Sequence, residues 1–267
     1  MKKYLLLTII VALLSACASS GDPDAQLTKD WPVEKLYSKA HDELNSGNYT
    51  RAVKLYDLLK SRFPYGRFAQ QAILDSAYAH YLNEDQEHAL AEVKLFELEF
   101  PNHPNTDYVL YLKGIILFNE DRSFVNKLAS QDWAERDPSA NKNAYEAFSE
   151  LITRYPNSQY VPDATERLTK IVYALGGHEM AVARYYMERG AYLAAANRAK
   201  NVITKFQHTD STEEAIALMM SAYEKMGQTT LSNDSRRVLE ANFPNSKYLK
   251  TGWVNPKNVP WYSWKGK

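Results

Sequence analysis

Apolar positions follow two regimes along the chain. Lys2 and Lys3 precede an apolar run from Leu5 to Leu14, which ends in Leu14-Ser15-Ala16-Cys17. As a helix, about ten residues reach roughly 15 Å, half the thickness of a bilayer core, so the run is too short to span a membrane. A basic start, a short apolar run and small residues before the cut describe a secretory signal, residues 1–16, whose removal leaves Cys17 first. From Trp31 onward the apolar spacing is helical, and it repeats. Ala40, Gly47, Tyr49, Ala52, Tyr56 and Phe63-Pro64 define a first unit, and a step of 37 residues carries three of these onto Ala77, Ala89 and Phe100-Pro101. The same step takes Ala77 to Gly114, and Ala144, Phe148 and Tyr155-Pro156 close a third unit after an insertion of 18 residues. Ala183, Gly190, Tyr192, Ala195 and Phe206 mark a fourth unit, and Gly227 with Phe243-Pro244 a fifth.

This spacing predicts helix pairs. Small residues let two helices approach closely, an aromatic fills the gap beside them, and Gly47, Gly190 and Gly227 supply positive φ where a first helix ends. Each aromatic-Pro pair ends a second helix, because Pro cannot continue it. The fold class is therefore all-α, a solenoid of about five helix pairs of tetratricopeptide type, with a polar insertion in the third repeat and a non-helical tail. Residues 18–30 are polar and aperiodic and read as a flexible tether. Residues 120–137 form the polar insertion between the two helices of unit three, either a functional loop or a simple length variant. Helical periodicity then runs from Ser158 to Arg189, with Pro162 in the first turn, which predicts a helix of about 28 residues. Gly176-Gly177 in its middle costs about 2 kcal/mol relative to alanine and predicts a kink or break. Residues 245–267 hold five lysines, no acid, and Trp253, Trp261 and Trp264. They form either an arm folded over the last repeat as a cap or an interaction arm.

Composition narrows the chemistry. Removing residues 1–16 from the 267 leaves 251, with 30 Lys and Arg against 32 Asp and Glu. That balance gives no electrostatic case for nucleic acid. Cys17 is the sole cysteine, so no disulfide within the chain is available and the apolar core must hold the fold. His41, His80, His88, His103, His178 and His208 show no metal-ligand spacing along one helix, so no metal or cofactor is expected. No Gly-x-Ser-x-Gly and no phosphate-cradling Gly loop occurs, and carboxylate pairs such as Glu146 and Glu150 read as solvated helix faces. Catalysis is not expected; a helical-repeat surface is built to hold peptides or protein domains.

Two resemblances extend the reading. Leu14-Ser15-Ala16-Cys17 is similar to the bacterial lipoprotein box, which implies that Cys17 is acylated and that lipid chains hold the mature domain on a membrane surface. Ala18 in place of Asp after the cysteine favours the outer membrane, by resemblance to enterobacterial sorting. Further motifs follow in repeat phase. They are Arg62-Phe63-Pro64-Tyr65-Gly66 with Ala69-Gln70-Gln71, and His103-Pro104-Asn105 with Asp107-Tyr108-Val109. Arg136-Asp137-Pro138, Arg154-Tyr155-Pro156-Asn157-Ser158-Gln159-Tyr160, and Tyr185-Tyr186 with Glu188-Arg189-Gly190-Ala191 continue the series. Over residues 27–244 the chain resembles the BamD (YfiO/ComL) family of β-barrel assembly lipoproteins.

The resemblance implies a periplasmic scaffold on the outer membrane, working with a BamA-like barrel subunit and with other lipoproteins of the assembly complex. It implies that Arg198 and Arg189 contact the barrel subunit's last periplasmic module, and that Arg62, Tyr65 and Arg67 receive the aromatic C-terminal strand of unfolded outer-membrane proteins. From the residues alone Tyr65 is equally a corner-packing side chain. The implied organisation is 1–16 signal, 17–30 lipidated tether, 31–119 N-terminal repeats with the substrate groove, 120–137 insertion, 138–189 second helix of the third repeat with a long spacer helix, 190–244 C-terminal repeats, and 245–267 basic Trp-rich tail. A second reading is a peptidoglycan-associated lipoprotein in cell-wall maintenance or DNA uptake, which the ComL name and the basic tail suggest.

Overall fold

The computed structural model describes residues 23–118 and 139–255. The signal, Cys17, the insertion 120–137 and tail residues 256–267, with Trp261 and Trp264, lie outside them. Twelve helices and no strand occur among the described residues. They are α1 Pro23–Leu27, α2 Val33–Asn45, α3 Tyr49–Arg62, α4 Arg67–Leu82, α5 Gln86–Glu99 and α6 Thr106–Leu117, then α7 Ser139–Arg154, α8 Val161–Glu188, α9 Tyr192–Lys205, α10 Ser211–Lys225, α11 Thr229–Asn242 and α12 Tyr248–Thr251. The chain forms two compact units that divide within α6, one ending at Leu112 and the other beginning at Lys113.

In the first unit α2, α3, α4 and α5 each pack on their neighbour in the chain. Leu36, Ala40 and Leu44 recur every fourth residue on α2, and Ala52, Leu55, Tyr56 and Leu59 form the matching stripe on α3. Ala40 and Ala52 are wholly buried, so backbones approach there while Tyr56 fills the space beside them. Ala77 and Ala89 are also fully buried, one repeat further on.

The second unit stacks α7 on α8, α8 on α9, α9 on α10 and α10 on α11. Met180, Ala183 and Met187 of α8 meet Ala195, Ala199 and Val202 of α9 and Ala215, Leu218 and Ala222 of α10. Gly114 faces the ring of Phe148, where an added Cβ would overlap Cε1, Cδ1 and Cζ, so only glycine fits against that aromatic.

The turns between paired helices share one device. Gly47, Gly190 and Gly227 have φ of 81°, 73° and 72°. Glu84, 37 residues after Gly47, takes φ 62° in the second repeat, where a side chain must bear the left-handed conformation. Phe63, Phe100, Phe206 and Phe243 cap the second helices with φ between −129° and −135°. Phe206 adopts this conformation before Gln207, so packing rather than a following proline sets it there.

Three expectations are corrected. The polar stretch before Trp31 is not wholly a flexible tether, since α1 is held by Arg51 and Arg62 of α3. The tail is not wholly non-helical: α12 forms, Tyr248 is buried, and Trp253 packs on the core, its Nε1 donating to Glu214 Oε1 at 3.2 Å. Asn255 donates to Glu188. Helix α8 runs unbroken through Gly176-Gly177, so the break that the glycine pair predicts does not occur. A Cβ on Gly176 would lie 3.2 Å from Thr209 Oγ1 and 3.4 Å from Phe206 Cβ, so this glycine admits the α9–α10 corner against the helix.

Candidate functional site

Each unit presents its own candidate surface. In the first, Arg62, Tyr65 and Arg67 stand at the corner between α3 and α4, and the structure separates their roles. Gly66 has φ 93° and ψ 177°, a conformation open essentially to glycine alone, and it turns the chain so that Tyr65 is 90% exposed. Tyr65 is therefore not a corner-packing residue. Arg67 is exposed, with its guanidinium over the Phe68 ring at 4.7 Å.

Arg62 turns the other way. Its Nη1 donates to Thr28 O at 2.5 Å and its Nη2 to Ala25 O at 2.8 Å. The last carbonyls of a helix lack partners within it, and a guanidinium fork satisfies two at once. Arg51 Nη2 adds a bond to Asp24 Oδ1 at 3.0 Å. Arg62 thus fastens the N-terminal segment, and its guanidinium is turned to that segment rather than to the strand-receiving surface that the resemblance implied for it.

Beneath this corner lies a buried carboxylate that the sequence did not flag. Asp75 accepts from Tyr37 Oη at 2.8 Å, Tyr56 Oη at 3.3 Å and Gln71 Nε2 at 2.9 Å, joining α2, α3 and α4. Burial pushes the Asp75 pKa up, against the lowering effect of those hydrogen bonds. Burial and the nearby Asp75 push both tyrosines well above the usual phenol range. The four-residue spacing of Gln71 and Asp75 on one helix face is the one local signal of this network in the sequence.

A second cluster surrounds the α4–α5 turn. His80 Nδ1 lies 3.1 Å from Asp85 Oδ2 and His88 Nδ1 lies 2.9 Å from Asp85 Oδ1, with the two imidazoles stacked at 5.3 Å. The His88 side-chain hydrogen bond holds Asp85 below the usual carboxylate range, and the same bond raises His88. Spacing along one helix does not reveal this pair, because the turn, not helical periodicity, brings it together.

In the second unit Arg198 Nη1 lies 3.1 Å from Glu179 Oε1 and 3.2 Å from Oε2, and Asn201 Nδ2 donates to Oε2 at 3.3 Å. Arg198 remains 39% exposed and so reaches both an internal carboxylate and solvent. Arg189 is exposed at the end of α8, its guanidinium 5.2 Å from the ring of the exposed Tyr185. Beside the α8–α9 turn lies a shallow, open apolar hollow lined by Tyr192, Leu193, Ala194, Asn197 and Met226, with Leu193 62% exposed. A hollow with exposed aromatic, aliphatic and guanidinium groups around it suits a protein partner. No helix among the described residues is long and apolar enough to cross a membrane.

Helix-pair repeats and a lipoprotein box define a class, the helical-repeat lipoproteins. The family model YfiO, outer membrane lipoprotein, matches residues 29–239, and the chain belongs to that family. The protein called outer membrane protein assembly factor BamD in Neisseria meningitidis serogroup A is 57% identical over 264 residues, 98% of each chain. The Neisseria gonorrhoeae protein of that name shows the same identity and coverage. In Xylella fastidiosa (strain 9a5c) the protein so named is 34% identical over 90% of this chain and 82% of its own.

Proposed function

We propose that this chain is a non-catalytic scaffold lipoprotein of the β-barrel assembly complex, needed for inserting β-barrel proteins into the outer membrane. Acylated Cys17 anchors it on the periplasmic face. The observation that carries the reading is 57% identity over 98% of the chain to proteins named for outer membrane protein assembly. In this reading the second unit holds a periplasmic module of a BamA-like barrel subunit. Arg198 exchanges Glu179 for an acid of that module, and Arg189 and the hollow beside Leu193 add contact area. In the first unit Tyr65 and Arg67 receive the aromatic end and terminal carboxylate of unfolded barrel strands, while Arg62 supports them by fixing the N-terminal segment. Other lipoproteins of the complex are further partners.

The cell-wall reading drew on the ComL name and the basic Trp-rich tail; of that tail, Trp253 is packed on the last repeats. The test is a detergent-extracted pull-down with tagged protein and mass spectrometry. The expected result is a barrel protein with periplasmic modules. Recovery of cell-wall fragments or hydrolases alone would replace the proposal with the peptidoglycan reading.

A further inference from the structure

The His80–Asp85–His88 cluster plays no part in the proposed scaffold role, and its geometry points elsewhere. We propose that these three side chains bind a divalent transition-metal ion, with Zn2+ as the reference case, across the α4–α5 turn of the second repeat. One ligand atom from each residue lies within 4.8 Å of the others, and the two His–Asp separations are 3.1 and 2.9 Å. A tetrahedral Zn2+ with bonds of about 2.0–2.2 Å needs donors roughly 3.3–3.6 Å apart, so separations that reach at most 4.8 Å close onto one ion with shifts of at most about 1.5 Å. Two imidazoles and a carboxylate are a donor set that suits zinc.

Backbone bonds link the three positions before any ion arrives. Asp85 N donates to His80 O at 2.9 Å, and His88 N donates to Asp85 Oδ1 at 3.3 Å. His80, in the last turn of α4, is mostly buried, with its side chain 13% exposed, whereas the His88 side chain is 68% exposed. One ligand is thus held by packing, one faces water, and solvent can supply a fourth donor. Glu87 and Glu92 add negative potential at His88, and Glu92 is itself paired with Lys60. The ion would pin the end of α4 to the start of α5, across the turn where Glu84 rather than glycine takes positive φ.

The test uses the full mature chain in detergent, without a polyhistidine tag, stripped of metal and titrated with Zn2+ by calorimetry. Co2+ serves as a second probe, read by its visible absorption. One equivalent is expected to bind, and His88→Gln and His80→Gln are each expected to weaken it at least about tenfold, as loss of even outer-shell support does. His208→Gln, in the other unit, is expected to leave it unchanged. Because His88 is exposed, His88→Gln decides the question even if His80→Gln misfolds. Absence of Zn2+ binding, or binding that survives His88→Gln, would overturn the proposal.

Discussion

Arg184→Met tests how the second unit is closed. Arg184 on α8 donates from Nε to Glu214 Oε1 at 2.8 Å and from Nη2 to Oε2 at 2.5 Å, and the Glu214 side chain is only 3% exposed. The pairing with Glu214 outweighs burial and raises the Arg184 pKa, so the guanidinium stays charged. Methionine keeps most of the apolar stem but removes the fork, leaving the carboxylate with the Trp253 indole as its remaining side-chain donor. Removing one partner of a buried ion pair typically costs about 3–5 kcal/mol, a large share of a domain's usual stability of about 5–15 kcal/mol. The assay is urea denaturation followed by far-ultraviolet circular dichroism. A second variant combining Arg184→Met with Glu214→Leu leaves no buried charge and is expected to recover most of the loss, short of about 1 kcal/mol for the orphaned indole. A single variant costing less than about 1 kcal/mol, or a double variant as unstable as the single, would refute the reasoning.

Other tests bear on the remaining elements. Gly177 sits inside α8 with open space where a Cβ would stand, so Gly177→Ala is expected to stabilise by about 0.5–1 kcal/mol, and Gly176→Ala by less because Thr209 and Phe206 must give way; equal gains in thermal melts would contradict this. Burial raises Asp75 above its unfolded value, so protonation favours the fold, and the charged side chain weighs against it as pH climbs from about 4 through the raised folded pKa. Asp75→Asn is therefore expected to gain stability relative to the parent between pH 4 and 7, and a constant difference across that range would be the contrary result. Tyr65→Ala, at a site 90% exposed, is expected to change stability by less than about 0.5 kcal/mol while weakening fluorescence-anisotropy binding of a barrel-derived C-terminal peptide; unchanged binding would remove Tyr65 from the substrate surface.

The repeat was legible because each unit had to bury the same small residues. Ala40, Ala77, Ala89, Ala144, Ala183 and Ala195 are all fully buried, and the three turn glycines all have positive φ. The length of α8 was also legible, since Pro162 and helical periodicity act locally. What escaped depends on residues far apart in sequence. Gly176 looked like a helix breaker, yet its role is set by a corner some 30 residues later. Arg62 looked free for a ligand because the carbonyls it satisfies belong to a stretch with no apolar periodicity. His80 and His88 meet only because a turn reverses the chain between them.

The central claim is that the second unit docks a BamA-like periplasmic module through Arg198, and the most direct measurement is the affinity of the purified chain for that module. Arg198→Glu is expected to abolish the complex with the helical signal retained, whereas Glu179→Gln, which removes the charge of the guanidinium's internal partner, keeps or tightens it. Equal affinity of the parent and Arg198→Glu would contradict the account.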